Sequence, residues 1–182
     1  MVLVEAADIL NGDLAAHGGR LAFNAEHVLK ALAQRNLAPR FDTVIGRYRT
    51  PRAPLEEALR LSPEAPYAQR ARFELLKAAF YESFDINPLT LVGIGFDELE
   101  RQIAESQALA AALSSPEDAA EAAFIHAVDL ARAAKLAPDR AARANYKRRA
   151  DAALKSFAAH HPDSLKAATA DTLRQMLAED GG

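Results

Sequence analysis

The sequence predicts an all-α fold, with antiparallel helical hairpins packed in a stack and an irregular helical bundle as the alternative. Three observations carry that reading. The apolar half of the composition leans on alanine, the strongest intrinsic helix former, against only 8 Gly and 9 Pro in 182 residues. Proline–acid pairs recur where helices should begin: Ser62-Pro63-Glu64, Ser115-Pro116-Glu117, Ala137-Pro138-Asp139 and His161-Pro162-Asp163. Between them, apolar residues recur at three- and four-residue steps, as on one face of a helix. A chain of this length buries a core without disulfides or metal. We read residues 1–182 as one helical domain, with 1–60 holding N-terminal helices and a connector, and 62–178 holding hairpins.

Taken in order, a first helix is expected near 2–10, ended by Asn11-Gly12, with a further turn after Asp13. A second spans 20–36 with Leu21, Ala25, Val28 and Leu32 inward. Residues 38–52 are a connector with a short extended piece, and a short helix follows Pro54. Proline at the first helical position loses no hydrogen bond, and acids in the first turn meet the positive end of the helix dipole. On that logic Ser62 and Ser115 are N-caps, and helices run over 64–84, 97–113, 116–136, 139–159 and 163–178.

Helix 64–84 is apolar on two faces, Phe73, Leu76, Phe80 and Phe84 on one and Ala68, Ala71, Leu75, Ala78 and Ala79 on another, so it is expected at the centre of the core. Single stripes mark the others: Ala120, Phe124, Ala127, Ala131 and Ala134; then Tyr146, Ala150, Ala153, Leu154 and Phe157; then Leu165, Ala168, Leu173, Met176 and Leu177. The linker 85–96, "DINPLTLVGIGF", is apolar without helical spacing, and Asn87-Pro88 stops the helix before it. It is expected to pack across the helices as a crossover.

The spacing of these residues resembles tetratricopeptide-like repeats, which are helix–turn–helix units. Ala150, Leu154, Phe157 and Pro162 fall at the offsets of a repeat's second helix, with Phe157 where a small residue is usual. Phe73, Leu76, Lys77 and Phe80, and Phe124, Ala127, Val128 and Ala131, fall at those of a first helix. The phrase proline–acid followed by alanine at the fifth and eighth positions, from Pro63 and again from Pro162, looks like repeat boundaries in bacterial envelope proteins of this kind. The resemblance covers about 62–178. It implies a non-catalytic scaffold that binds a peptide or protein segment in an inter-helix groove.

Chemistry is sparsely signalled. The absence of cysteine excludes disulfides and thiol chemistry, and the net charge of −3 gives no global attraction to nucleic acid. No apolar run reaches the length of a membrane span, and the N-terminus has no basic leader region. No zinc, phosphate-loop or nucleophile-elbow motif appears, so neither cofactor nor metal is expected. His160 and His161 are adjacent and diverge on a helix. His126, three residues before Asp129, has the spacing of a surface pair, or of a base oriented by a carboxylate. Charge is more telling. Residues 97–129 carry eight acids against one base, and 130–155 carry eight bases against two acids. These helices are expected to lace together at their edges. The sharper reading is a strip of Arg140, Arg143, Lys147 and Arg148 that meets an acidic protein segment, together with Leu91, Ile94 and Phe96 of the linker. The alternative is a bundle holding a small apolar ligand near Phe73, Phe80, Phe84 and Phe96. An enzyme ranks third, and requires His126 in a cleft facing a second polar group.

Overall fold

The structure is a computed structural model. It describes residues 9–10, 13–14, 16–34, 38–43, 47–49, 51–84 and 87–179. The described chain is mostly helical: α1 (Phe23–Ala33), a hairpin of β1 (Arg40–Asp42) and β2 (Arg47–Arg49), then α2 (Ala53–Leu61), α3 (Ala68–Glu82), α4 (Phe96–Ala112), α5 (Pro116–Leu136), α6 (Arg140–His160) and α7 (Leu165–Glu179). Two compact units emerge, Met1–Ala78 and Ala79–Gly182, and the boundary falls inside α3. Among the described residues no helix is long and apolar enough to cross a membrane.

In the first unit most of the expected helix 2–10 lies outside the described residues; Ile9, Leu10, Asp13 and Leu14 are helical. The helix expected from Arg20 starts later, at Phe23, after the Ala22 amide has donated to Asp13 Oδ2 (2.6 Å). Ala25 and Leu32 are buried, but Val28, expected inward, is exposed. The extended piece in 38–52 is an antiparallel hairpin in which Phe41 faces Tyr48, ring centroids 5.2 Å apart. Along α3, Glu74 is buried between Arg70 (2.5 Å) and Lys77 (3.4 Å), whose cations also lie over the Phe73 ring.

The proline–acid pairs mark the starts of helices, but only Pro116 stands at one. There Ser115 Oγ accepts from the Asp118 amide (3.3 Å), as an N-cap should. Ser62 instead ends α2, and residues 63–67 turn before α3. Pro66 explains this, because it lacks an amide and forces Ala65 away from helical geometry. After Pro138 the cap is Asp139, which accepts from the Ala142 amide (2.8 Å). After Pro162 the chain turns once more, Ser164 Oγ accepts from the Lys166 amide (3.2 Å), and α7 begins at Leu165. That late start leaves Leu165 96% exposed and Ala168 exposed, where a buried stripe was expected.

The second unit is built around α5. Short turns at 113–115, 137–139 and 161–164 fold α4, α5, α6 and α7 back on one another, and each packs on its neighbour in sequence. From Ala122 to Ala134 every residue of α5 is buried except Ala123 and His126. The centre of this unit is therefore α5, not the 64–84 helix. Its alanines let the neighbouring backbones approach closely, and its two charged residues in that stretch are paired inside rather than pointed outward.

Those residues are Asp129 and Arg132, each 0% exposed. Arg132 Nη1 donates to Asp129 Oδ1 (2.9 Å) and Ser83 Oγ (3.0 Å), and Nε donates to the Pro88 carbonyl. The guanidinium stacks on Phe80 (4.5 Å) and Phe84 (5.0 Å). This fixes the end of α3 and the linker to α5. Asn87 organises the linker turn, accepting from the Leu89 and Thr90 amides (both 2.9 Å), and Val92 N–H returns to the Ser83 carbonyl (2.9 Å). Gly93 supplies the positive φ of 69° that follows. Leu89 is buried, Leu91 and Ile94 are half-buried and Val92 is exposed, so the crossover is pinned at its first half.

Burial pushes the Asp129 carboxyl up to about 7, against the pull of Arg132. Asp129 Oδ2 and Arg132 Nη2 are buried without hydrogen-bond partners. Removing one member of such a pair strands the other charge and typically costs about 3–5 kcal/mol, whereas apolar replacement of both is often neutral or better. Arg132→Met and Asp129→Leu should each lower the urea-unfolding free energy by about that amount, and the double variant should recover most of it. Additive losses in the double variant would show that the pair is not a unit.

Candidate interaction groove

The strip expected on α6 is present. Arg140, Arg143 and Arg148 are exposed and Lys147 is half-exposed. The expected lacing of α6 cations to acids of 97–129 is not what joins these helices. Among the described residues, the ion pairs and hydrogen bonds of the 97–129 acids run elsewhere: Glu98 to Arg101, Glu121 to Lys166 and Tyr81, Glu100 to Tyr146 Oη (2.6 Å) and Asp129 to Arg132. Phe96, the last of the linker residues singled out, sets its ring edge-on to Tyr146 at 5.7 Å. The structure thus brings Phe96 to α6, while Leu91 and Ile94 stay in the linker.

Phe96, Glu100 and Tyr146 bridge α4 and α6 at one end. Towards the other end these two helices flank α5 and leave an open cleft of about 260 Å³. Its floor is Ala123 and His126, the two residues left half-buried within 122–134 of α5. Gln107 and Ala110 of α4 form one wall; Ala153, Ser156, Phe157 and His160 of α6, with His161 beyond, form the other. A spacing of three residues puts Ala123 and His126 on one side of the helix, so the groove follows α5 for about a turn.

The expected pairing of His126 with Asp129 does not form, because Asp129 is turned inward to Arg132. His126 Nδ1 instead meets the Ile103 carbonyl (3.1 Å), with Ser106 Oγ at 3.4 Å. A carbonyl oxygen only accepts, so Nδ1 carries the hydrogen and Nε2 is left as an acceptor. His160 repeats the arrangement, its Nδ1 donating to the Ser156 carbonyl (2.8 Å). The His161 ring lies against Phe157 with centroids 5.0 Å apart. Ser156 Oγ lies 3.3 Å from His160 Nδ1. Among the described residues no three His, Asp or Glu side chains converge as metal ligands do.

His126 therefore does sit in a cleft with other polar groups, but no carboxylate orients it. The groove offers imidazole acceptors above a floor of small side chains. Sequence reasoning missed Gln107, Ala110, Ala123 and Ser156 and read Ala153 as part of the inward stripe, since a lone amide and small residues in an alanine-rich chain carry no motif. No protein-family model, curated protein or solved structure matches the chain.

Burial lowers the His126 pKa from the usual imidazole value near 6.5, the Ile103 bond opposes this, and the Arg149 charge adds to it. A histidine that resists protonation only when folded contributes stability above pH 6.5, and that contribution is lost as pH falls towards its depressed value. Unfolding midpoints measured between pH 7.5 and 5 should fall for the native protein and fall less steeply for His126→Gln. Parallel slopes would mean that His126 titrates alike in both states.

Proposed function

We propose that this protein is a non-catalytic scaffold that binds a peptide or protein segment in the groove between α4 and α6. The observation that carries this reading is the stripe of Ala123 and His126, left half-buried within the otherwise buried stretch 122–134 of α5 and lying in an open cleft. The small side chain of half-buried Ala123 lets a second backbone approach closely, and His126 Nε2, left as an acceptor, suits a peptide N–H group. An open groove fits a chain that passes through it, whereas a small ligand is held by enclosure.

The stacking of α4 to α7 by neighbours supports a tetratricopeptide-like array, whose hairpins contact mainly the next in line and present extended surfaces. The alternative of an apolar ligand site around Phe73, Phe80, Phe84 and Phe96 has less support, and the Phe73 ring lies under the Arg70 and Lys77 cations. The Arg132 guanidinium stacks on the Phe80 and Phe84 rings, and the Phe96 ring is engaged by Tyr146.

Plugging the floor tests the proposal. A synthetic array of extended ten-residue peptides, read by fluorescence anisotropy, should yield binders of micromolar Kd. Ala123→Leu should weaken them about tenfold or more, near 1.4 kcal/mol, with an unchanged thermal midpoint. Equal binding by the plugged variant, or an array with no binder, would falsify the groove reading.

A further inference from the structure

We propose that the outer side of α6 is a second docking surface, separate from the groove, for an acidic polypeptide segment. Arg140, Arg143, Lys147, Arg148 and Lys155 lie along 16 residues of helix, 15 steps or about 22 Å at 1.5 Å per residue. None of the five has a carboxylate partner among the described residues. Arg148 Nη2 donates to the neutral Asn145 Oδ1 at 3.4 Å.

The acids nearest in sequence are already engaged. Asp139 caps the helix through the Ala142 amide, and Asp151 pairs with Arg174 of α7 (2.9 Å). Like charges three and four residues apart repel on a helix surface, as at Arg140–Arg143 and Arg143–Lys147. The fold gains nothing from this arrangement, whereas a row of carboxylates laid along it would relieve the repulsion. Two exposed cations elsewhere contrast with these: Arg60 is held by Glu57 (2.7 Å), and Arg101 is held by Glu98.

A polypeptide fits better than nucleic acid. Sequence-tolerant nucleic-acid grooves interleave their cations with exposed aromatic faces for base stacking. The aromatic residues of α6 are Tyr146 and Phe157, both buried, and the Tyr146 ring meets Arg149 and Phe96. A strip one helix wide and about 22 Å long matches roughly seven residues of extended chain at about 3.3 Å each. The strip shares no residue with the lining of the groove, so it does not depend on the groove reading.

The probe is a fluorescein-labelled ten-residue polyglutamate peptide, titrated with the full chain by anisotropy. Binding should weaken at least tenfold between 50 and 300 mM salt. It should weaken at least tenfold again in Arg143→Glu/Lys147→Glu/Arg148→Glu. A control with the same change in net charge, Arg20→Glu/Arg60→Glu/Arg101→Glu, should bind within about twofold of the native protein, as should Ala123→Leu. The milder Arg143→Gln/Lys147→Gln/Arg148→Gln should also lose affinity while keeping the native circular dichroism spectrum. Equal loss in both charge-reversed proteins would reduce the effect to net charge and overturn the proposal. So would tighter binding of a twelve-base-pair duplex than of the peptide, or no detectable binding of the peptide at 50 mM salt.

Discussion

A guanidinium placed inside a protein must be surrounded by partners, and in the second unit Arg132 determines what its neighbours can be. It takes a carboxylate from its own helix, a hydroxyl from the end of α3, a main-chain carbonyl from the linker and two aromatic faces. Each is a constraint on backbone position rather than mere filling. Because Pro88 is tied to α5, the linker leaves it at a fixed point, and α4 must begin close by. The place where α4 begins sets where Phe96 and Glu100 meet Tyr146, and hence how far apart α4 and α6 stand. The groove thus lies between two helices that each pack on the helix carrying this buried cation. An ion pair of this kind contributes little net stability, since desolvation offsets attraction, but it discriminates strongly between arrangements.

The helices were legible because several weak signals agreed. Ser115, Pro116, Glu117 and Asp118 combine cap, proline and acids, and there the boundary falls where expected. At the other three sites the proline was legible but the cap was not. Asp139 and Ser164 compete for the role of first residue and win because their side chains reach the free amides, which proline cannot do. Pro66 was present in the sequence yet outweighed by the phrase repeated from Pro63.

The identity of the central helix was illegible for a physical reason. A charged residue on a helix reads as a solvent-facing mark, and Asp129 and Arg132 place two such marks on α5. Their burial depends on Ser83 and Pro88, 49 and 44 residues away from Arg132. No periodicity encodes so distant a contact. The same pairing removed Asp129 from His126, whose true partner, the Ile103 carbonyl, is a main-chain atom that no side-chain pattern reports. The α6 cations were legible as charge, and their isolation required knowing where Glu100, Asp139 and Asp151 turn.

Packing of each helix on the next has a kinetic corollary. Between α4 and α7 the strongest interfaces join segments separated by a turn of three or four residues, so little loop entropy is lost in closing them. During synthesis, α4 and α5 can pair before α6 has left the ribosome, and α6 can be added before α7. The exception is the clasp of Arg132 on Pro88 and Ser83, whose residues α4 separates. Its loop must close across that helix, so it loses more loop entropy than the turns between neighbouring helices do.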